Sequence, residues 1–140
     1  MKEPKFWTNA PQNPGWQARA LSPLGALYAR ATRRRLEKPG YTASVPVICI
    51  GNLNAGGTGK TPTTIALMQA LTARGVDVHV VSRGYGGRLE GPVRVDEAKH
   101  SAKDVGDEPL LMAAFGPVWV ARAREQGVRR AEEAGAQVIL

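Results

Sequence analysis

The sequence predicts an α/β domain, a mostly parallel sheet flanked by helices, preceded by a basic amphipathic helical segment. Three observations predict it. A glycine-rich loop, residues 54–61, lies between an apolar β-rich run and a helical run. Beyond it, strand-like and helix-like runs alternate to the last residue. The positive charge is concentrated at one end: residues 1–40 hold eight Lys/Arg against two Glu, a surplus of six, while the other hundred residues hold eleven against ten.

Taken in order, residues 1–15 are rich in Pro and Asn and read as an irregular lead-in. Asn13-Pro14 and Ser22-Pro23 can each start a helix, so two short helices are expected next. Along them Trp16, Ala20, Leu24, Leu27 and Ala31 recur at spacings of three and four, with Arg19, Arg30, Arg33, Arg34 and Arg35 around them. Lys38-Pro39-Gly40 closes this first unit, residues 1–40, and a second, 41–140, follows. Val45 to Gly51 is apolar and β-rich and predicts a buried strand, with Pro46 tolerable near its start. Thr61 to Arg74 predicts a helix, with Ile65, Leu67, Met68 and Leu71 on one face and Gly75 ending it.

Val76 to Ser82 predicts the second strand, parallel to the first because a helix intervenes. Arg83 to Lys103 carries Gly84, Gly86, Gly87 and Gly91 and reads as a long functional loop or small hairpin, with Val93 to Val95 as a short strand candidate. Asp107 can cap a helix running to Phe115. Pro117 to Val120 reads as a strand, Ala121 to Gly135 as a helix, and Gln137 to Leu140 as a last strand. That closing run has no polar residue, Gly or Pro after it, so the sequence is expected to stop mid-domain.

Composition narrows the function classes. With 43% hydrophobic residues in 140, the chain can build a core and is not a disordered segment. The single cysteine, Cys49, cannot form an internal disulfide, and a reducing cytosolic compartment is the natural reading. No run approaches the roughly 20 apolar residues of a spanning helix, and the N-terminus lacks the apolar centre of a signal peptide. Membrane contact is therefore expected to be peripheral. The basic first segment implies an anionic partner, a membrane surface or a nucleic acid, and composition does not choose.

The chemistry concentrates in Asn54-Ala55-Gly56-Gly57-Thr58-Gly59-Lys60-Thr61. A loop of this kind between a strand and a helix is a phosphate-binding P-loop: glycines let successive backbone N–H groups converge on an anion, and the helix N-terminus adds partial positive charge. Lys60 would reach the β- and γ-phosphates of a nucleotide, and the Thr61 hydroxyl would ligate Mg²⁺. The general pattern has glycine where this chain has Asn54, and asparagine is the other residue that accepts left-handed backbone angles. Pro62 sits in the first helical turn, where its missing N–H costs little.

Reading outward, Gly51-Asn52-Leu53, Gly56 to Pro62, Ser82-Arg83-Gly84-Tyr85-Gly86-Gly87 and Val105-Gly106-Asp107-Glu108-Pro109, in that order, resemble the tetraacyldisaccharide 4′-kinase family. Ser22-Pro23-Leu24 and Leu27-Tyr28 are similar too, so the resemblance spans nearly the whole chain. It implies a P-loop NTPase-like fold and transfer of the γ-phosphate of ATP to the 4′-hydroxyl of a tetraacyldisaccharide 1-phosphate, forming lipid IVA in lipid A synthesis. The implied place is the cytoplasmic face of the bacterial inner membrane, held peripherally. Asp107 matches the family's aspartate and is the candidate base for the sugar hydroxyl. Arg83 is a candidate for holding a substrate phosphate and Tyr85 for packing on a sugar. The family's Mg²⁺-associated acidic pair follows the strand that ends here at Leu140, so this chain alone is expected to be inactive.

Two other classes compete. Gly56 to Thr61 also resembles the deviant P-loops of partition and metallochaperone ATPases, but those carry a signature lysine where this chain has Ala55. Nucleic-acid binding through Arg33-Arg34-Arg35 lacks interleaved aromatics beyond Tyr28, so no nucleic-acid partner is expected. An interfacial anchor on anionic lipid is the expected role of the first segment. His79 and His100 have no partners at metal-ligand spacing, and Trp119 and Met112 read as core.

Overall fold

A computed structural model of the chain describes residues 9–10, 12–37, 40–51 and 59–140. The chain divides into two compact units, Met1–Gly40 and Tyr41–Leu140.

In the first unit, helix α1 (Gly15–Leu36) is continuous, with Pro23 inside it. The expected break into two short helices does not occur. Proline's fixed φ is already helical, so the helix can run through it despite the bond its missing N–H cannot make and the crowding of its ring on the carbonyl four residues back. Nor does Asn13 cap the helix: Pro14 holds the N-cap position without a side-chain bond. Three arginines, Arg33, Arg34 and Arg35, fall in the last turn, where the partial negative charge of the helix C-terminus favours cations. None of its residues is buried, and Trp16, Leu24, Leu27 and Tyr28 are exposed apolar groups on it.

The second unit is a three-layer α/β/α domain. Its elements are α2 (Lys60–Thr72), β1 (Val78–Ser82), β2 (Val93–Arg94), α3 (Ala102–Val105), α4 (Asp107–Ala113), β3 (Val118–Val120), α5 (Arg124–Glu133) and β4 (Val138–Ile139). The strands lie in the order β2-β3-β1-β4; β1 pairs parallel with β3 and β4, and β2 antiparallel with β3. Alternation along the strands sorts the core onto two faces. Val78, Val80, Val118, Val120 and Leu140 pack with Met68 of α2 and Met112 of α4. On the other face, Val81, Trp119 and Ile139 pack with Val128 and Ala131 of α5.

The run Val45 to Gly51 is not the buried strand its composition predicts. It makes a single parallel bridge, Val47 to Ile139, with Ile48 N donating to Ile139 O at 2.8 Å and Ile139 N to Pro46 O at 3.0 Å. Val47, Ile48 and Cys49 are exposed. An apolar run becomes a buried strand only with ladder partners, and here the two-residue β4 supplies pairing at one position. Its parallel sense nevertheless holds: this run and β1 both pair parallel with β4.

The long loop after β1 also contains more structure than expected. Ser101 caps α3 through a reciprocal capping box with Asp104, and Gly106, with φ of +92°, then breaks direction so that α4 begins at once. Asp107 is thus the first residue of α4 and not its cap, which is Gly106.

Candidate functional site

The described part of the glycine loop is its end. Gly59 stands at the N-cap of α2 with φ of +77°, a left-handed angle natural to glycine, and the cap carries no side-chain hydrogen bond. Lys60 and Thr61 open the helix. First-turn amides have no partner within a helix, so this end presents N–H groups and the dipole's positive pole together. Thr63 Oγ1 donates to Gly59 O at 2.8 Å and Thr64 Oγ1 to Lys60 O at 2.9 Å, which tie the turn down. The predicted ligands Asn54, Ala55, Gly56, Gly57 and Thr58 lie outside the described residues.

Chain direction sets which sheet edge receives this helix start. Gly75, with φ of +78°, ends the turn after α2 and leads into the amino end of β1. At roughly 1.5 Å per residue, the 13 residues of α2 run back about 18 Å, more than the length of five-residue β1. Lys60 therefore lies toward the carboxyl ends of the parallel strands, where ligands of open α/β sheets bind.

The loop leaving β1 at Ser82 starts on that same edge. Arg83 is exposed and Tyr85 is 89% exposed. The loop is locked against the α3–α4 junction: a Cβ on Gly87 would come within 2.7 Å of Asp104 O, and one on Gly106 within 2.6 Å of Tyr85 O. Asp107, exposed, follows directly, its Oδ1 accepting from Glu108 N at 2.9 Å. α4 packs beside α2 on one face of the sheet. Topology thus brings Lys60, Thr61, the Arg83–Tyr85 loop and Asp107 to one edge. Two open concavities, about 360 Å³ by Pro92 and Arg129 and about 530 Å³ by Arg94 and His100, are lined by none of these residues.

The family model for "Tetraacyldisaccharide-1-P 4'-kinase" (LpxK) matches residues 17–140. The chain belongs to this family. It is 65% identical to the tetraacyldisaccharide 4'-kinase of Dinoroseobacter shibae, 55% to that of a Jannaschia species and 51% to that of Rhodospirillum rubrum. Each comparison covers all of this chain and 41–42% of the relative, so the chain spans about two fifths of their length. Among solved structures, the "apo" form LpxK from Aquifex aeolicus in complex with ATP is similar at a TM-score of 0.68 and 30% identity, over 88% of this chain and 42% of that one. The P-loop kinase fold expected from the sequence is thereby established for the chain.

Three polar clusters frame this kinase-family domain that the sequence did not announce. Glu132 of α5 accepts from Tyr41 OH at 2.6 Å, Ser44 N at 2.5 Å and Ser44 Oγ at 2.7 Å, while the Arg129 guanidinium lies 3.9 Å from the Tyr41 ring centre. These bonds lower the Glu132 pKa, the Tyr41 hydroxyl contributing most, and raise that of Tyr41. They fasten the start of the run that leads into the glycine loop. The partners are some ninety residues apart, and no local pattern could have paired them.

The second cluster is Asp104, which accepts from Arg88 Nε at 2.6 Å, Ser101 Oγ at 2.7 Å and Ser101 N at 2.9 Å. The Ser101 hydroxyl, then its N–H, then Arg88 hold this carboxyl at about 2. A Ser-x-x-acid spacing was the available signal, and it marks α3.

The third is in the core. His79, 3% exposed, accepts at Nδ1 from Trp119 Nε1 at 3.2 Å, with the two rings stacked. Burial first, then the charge of Arg94, push its pKa below 6.5. Folding therefore favours the neutral ring. Stability from this pair is complete above pH 6.5 and falls as pH drops below 6.5 through the lower folded value. A thermal-unfolding series from pH 7.5 to 5 should show the wild type losing Tm on the acid side and His79→Gln losing less. Parallel curves would remove His79 as the cause. His100 takes a local role, accepting at Nδ1 from Asp96 N at 3.0 Å. Met112 is buried core as expected, and Trp119 is half-buried.

Proposed function

We propose that this chain is the nucleotide-binding part of an ATP-dependent kinase that phosphorylates the 4′-hydroxyl of a tetraacyldisaccharide 1-phosphate. The observation that carries the reading is family membership across residues 17–140 together with a Gly59-Lys60-Thr61 helix start on the same sheet edge as Asp107. The ATP complex of the Aquifex relative supports the nucleotide.

In this reading the backbone of residues 54–61 wraps the phosphates and Lys60 neutralises the charge on the β- and γ-oxygens. Thr61 offers a hydroxyl at the second helical position, an oxygen donor of the type hard cations take. Among the described residues no three His, Cys, Asp or Glu gather as a metal cluster. Bound Mg²⁺ would neutralise charge on the transferred group. Asp107 receives the proton of the attacking hydroxyl, and Arg83 and Tyr85 face the acceptor's phosphate and sugar.

The first unit is the surface anchor in this proposal. No helix among the described residues is long and apolar enough to cross a membrane. α1 instead carries exposed Trp16, Leu24, Leu27 and Tyr28 with Arg33, Arg34 and Arg35, the composition of a helix lying in an anionic lipid interface. The place is the cytoplasmic face of the inner membrane, where the acylated acceptor is presented.

The test uses the full-length protein with labelled ATP, Mg²⁺ and the acylated disaccharide 1-phosphate. Label should pass to the lipid, and absence of transfer overturns the reading. Turnover that needs no lipid acceptor would favour the partition-type switch instead. In the same preparation, anionic vesicles should retain the protein more than neutral vesicles or DNA at matched salt.

A further inference from the structure

The glycine loop after β1 and the segment bearing Asp107 are joined by more than proximity. Arg88 N donates to Lys103 O at 3.0 Å and Leu89 N to Asp104 O at 2.9 Å, so the loop's end forms a short backbone ladder with α3. Gly87 lies so close to Asp104 and Gly106 that a side chain there would collide with backbone. Across this seam runs one ion pair, Arg88 Nε to Asp104 Oδ1 at 2.6 Å, on a carboxylate whose other oxygen is taken by both donors of Ser101. Asp104 is shielded, its side chain 14% exposed, while Arg88 is 77% exposed.

An ion pair with one exposed member contributes little to global stability. Its position gives it a different use. After Asp104 come Val105, fully buried, and Gly106, whose N donates to Ala102 O at 2.9 Å, and then Asp107. Whatever fixes α3 against the loop fixes where α4 begins, and with it the carboxylate at its first position.

We propose that Arg88 is a positioning residue for the phosphoryl transfer: through Asp104 it clamps the 82–88 loop to α3 and so sets the place of the Asp107 carboxylate at the sheet edge. This rests on the reading of Asp107 as the proton acceptor. Arg88 touches neither nucleotide nor acceptor in this role. Its effect is on the alignment of the reacting groups, for which displacements of about 1 Å can cost up to 10²-fold in rate.

The experiment compares Arg88→Ala, Arg88→Lys, Asp107→Asn and the Arg88→Ala/Asp107→Asn pair in the full-length enzyme, reading kcat, KM for ATP and Tm. Arg88→Ala should lower kcat by about tenfold or more, with KM for ATP and Tm little changed. The contact is through one nitrogen, so Arg88→Lys should restore most of kcat. Because Arg88 acts through Asp107, the paired variant should be no slower than Asp107→Asn alone. Full kcat in Arg88→Ala, a loss that multiplies in the paired variant, or a kcat loss accompanied by an equal collapse of Tm would each overturn the positioning role. Wild-type kcat in Asp107→Asn would strike the proton-acceptor reading itself, and is recognisable because it involves no change at Arg88.

Discussion

Lys60→Ala is expected to abolish phosphoryl transfer, by about 10³-fold or more, and to weaken ATP binding while the domain stays folded. Lys60 opens α2 and belongs to no ion pair among the described residues, so the substitution removes none of the described ion pairs. Its backbone carbonyl, the acceptor for Thr64 Oγ1, survives the substitution. The cost falls on the nucleotide: without the lysine, charge developing on the transferred group is met by backbone amides and the bound Mg²⁺, with no ammonium beside them. Calorimetry with Mg-ATP and a thermal melt on the same variant make the check. A variant that binds ATP and transfers phosphate as the wild type does would end the P-loop reading.

Asp107→Asn should divide the roles differently. Asparagine preserves shape and can still accept from Glu108 N, so α4 should begin as before. It cannot take a proton from a hydroxyl, and general-base contributions are typically about 10²–10⁴-fold. Nucleotide affinity should therefore match the wild type while kcat falls by about 10²-fold or more. If the two variants lose ATP binding equally, no division of labour between the helix start of α2 and that of α4 survives.

Much of the second unit was legible because its signals are local. The helix predicted for Thr61 to Arg74 is observed at Lys60–Thr72, the strand predicted for Val76 to Ser82 at Val78–Ser82, and that predicted for Pro117 to Val120 at Val118–Val120. Apolar spacing, a breaker glycine and β-branched runs act within a few residues. Misreadings came where a long-range partner decides. Val45 to Gly51 has the composition of a core strand, yet Ile139 alone bridges it. Ser22-Pro23 has the chemistry of a helix start, yet α1 runs through it. Ser101 and Asp104 had the spacing of a capping box inside what read as loop, because a four-residue helix carries too little periodicity to be seen.

From the sequence alone came the order of elements, the glycine-rich loop ahead of α2, the basic end and the kinase family, since each depends on residue type and near-neighbour spacing. Tertiary structure alone decided that the Gly84–Gly87 loop seats against Gly106, that Arg88 holds Asp104, and that Glu132 ties down Tyr41 and Ser44. Those contacts join residues from 16 to 91 positions apart. They depend on which sheet edge each loop reaches, and strand order, unlike helix periodicity, is fixed only when the whole core packs.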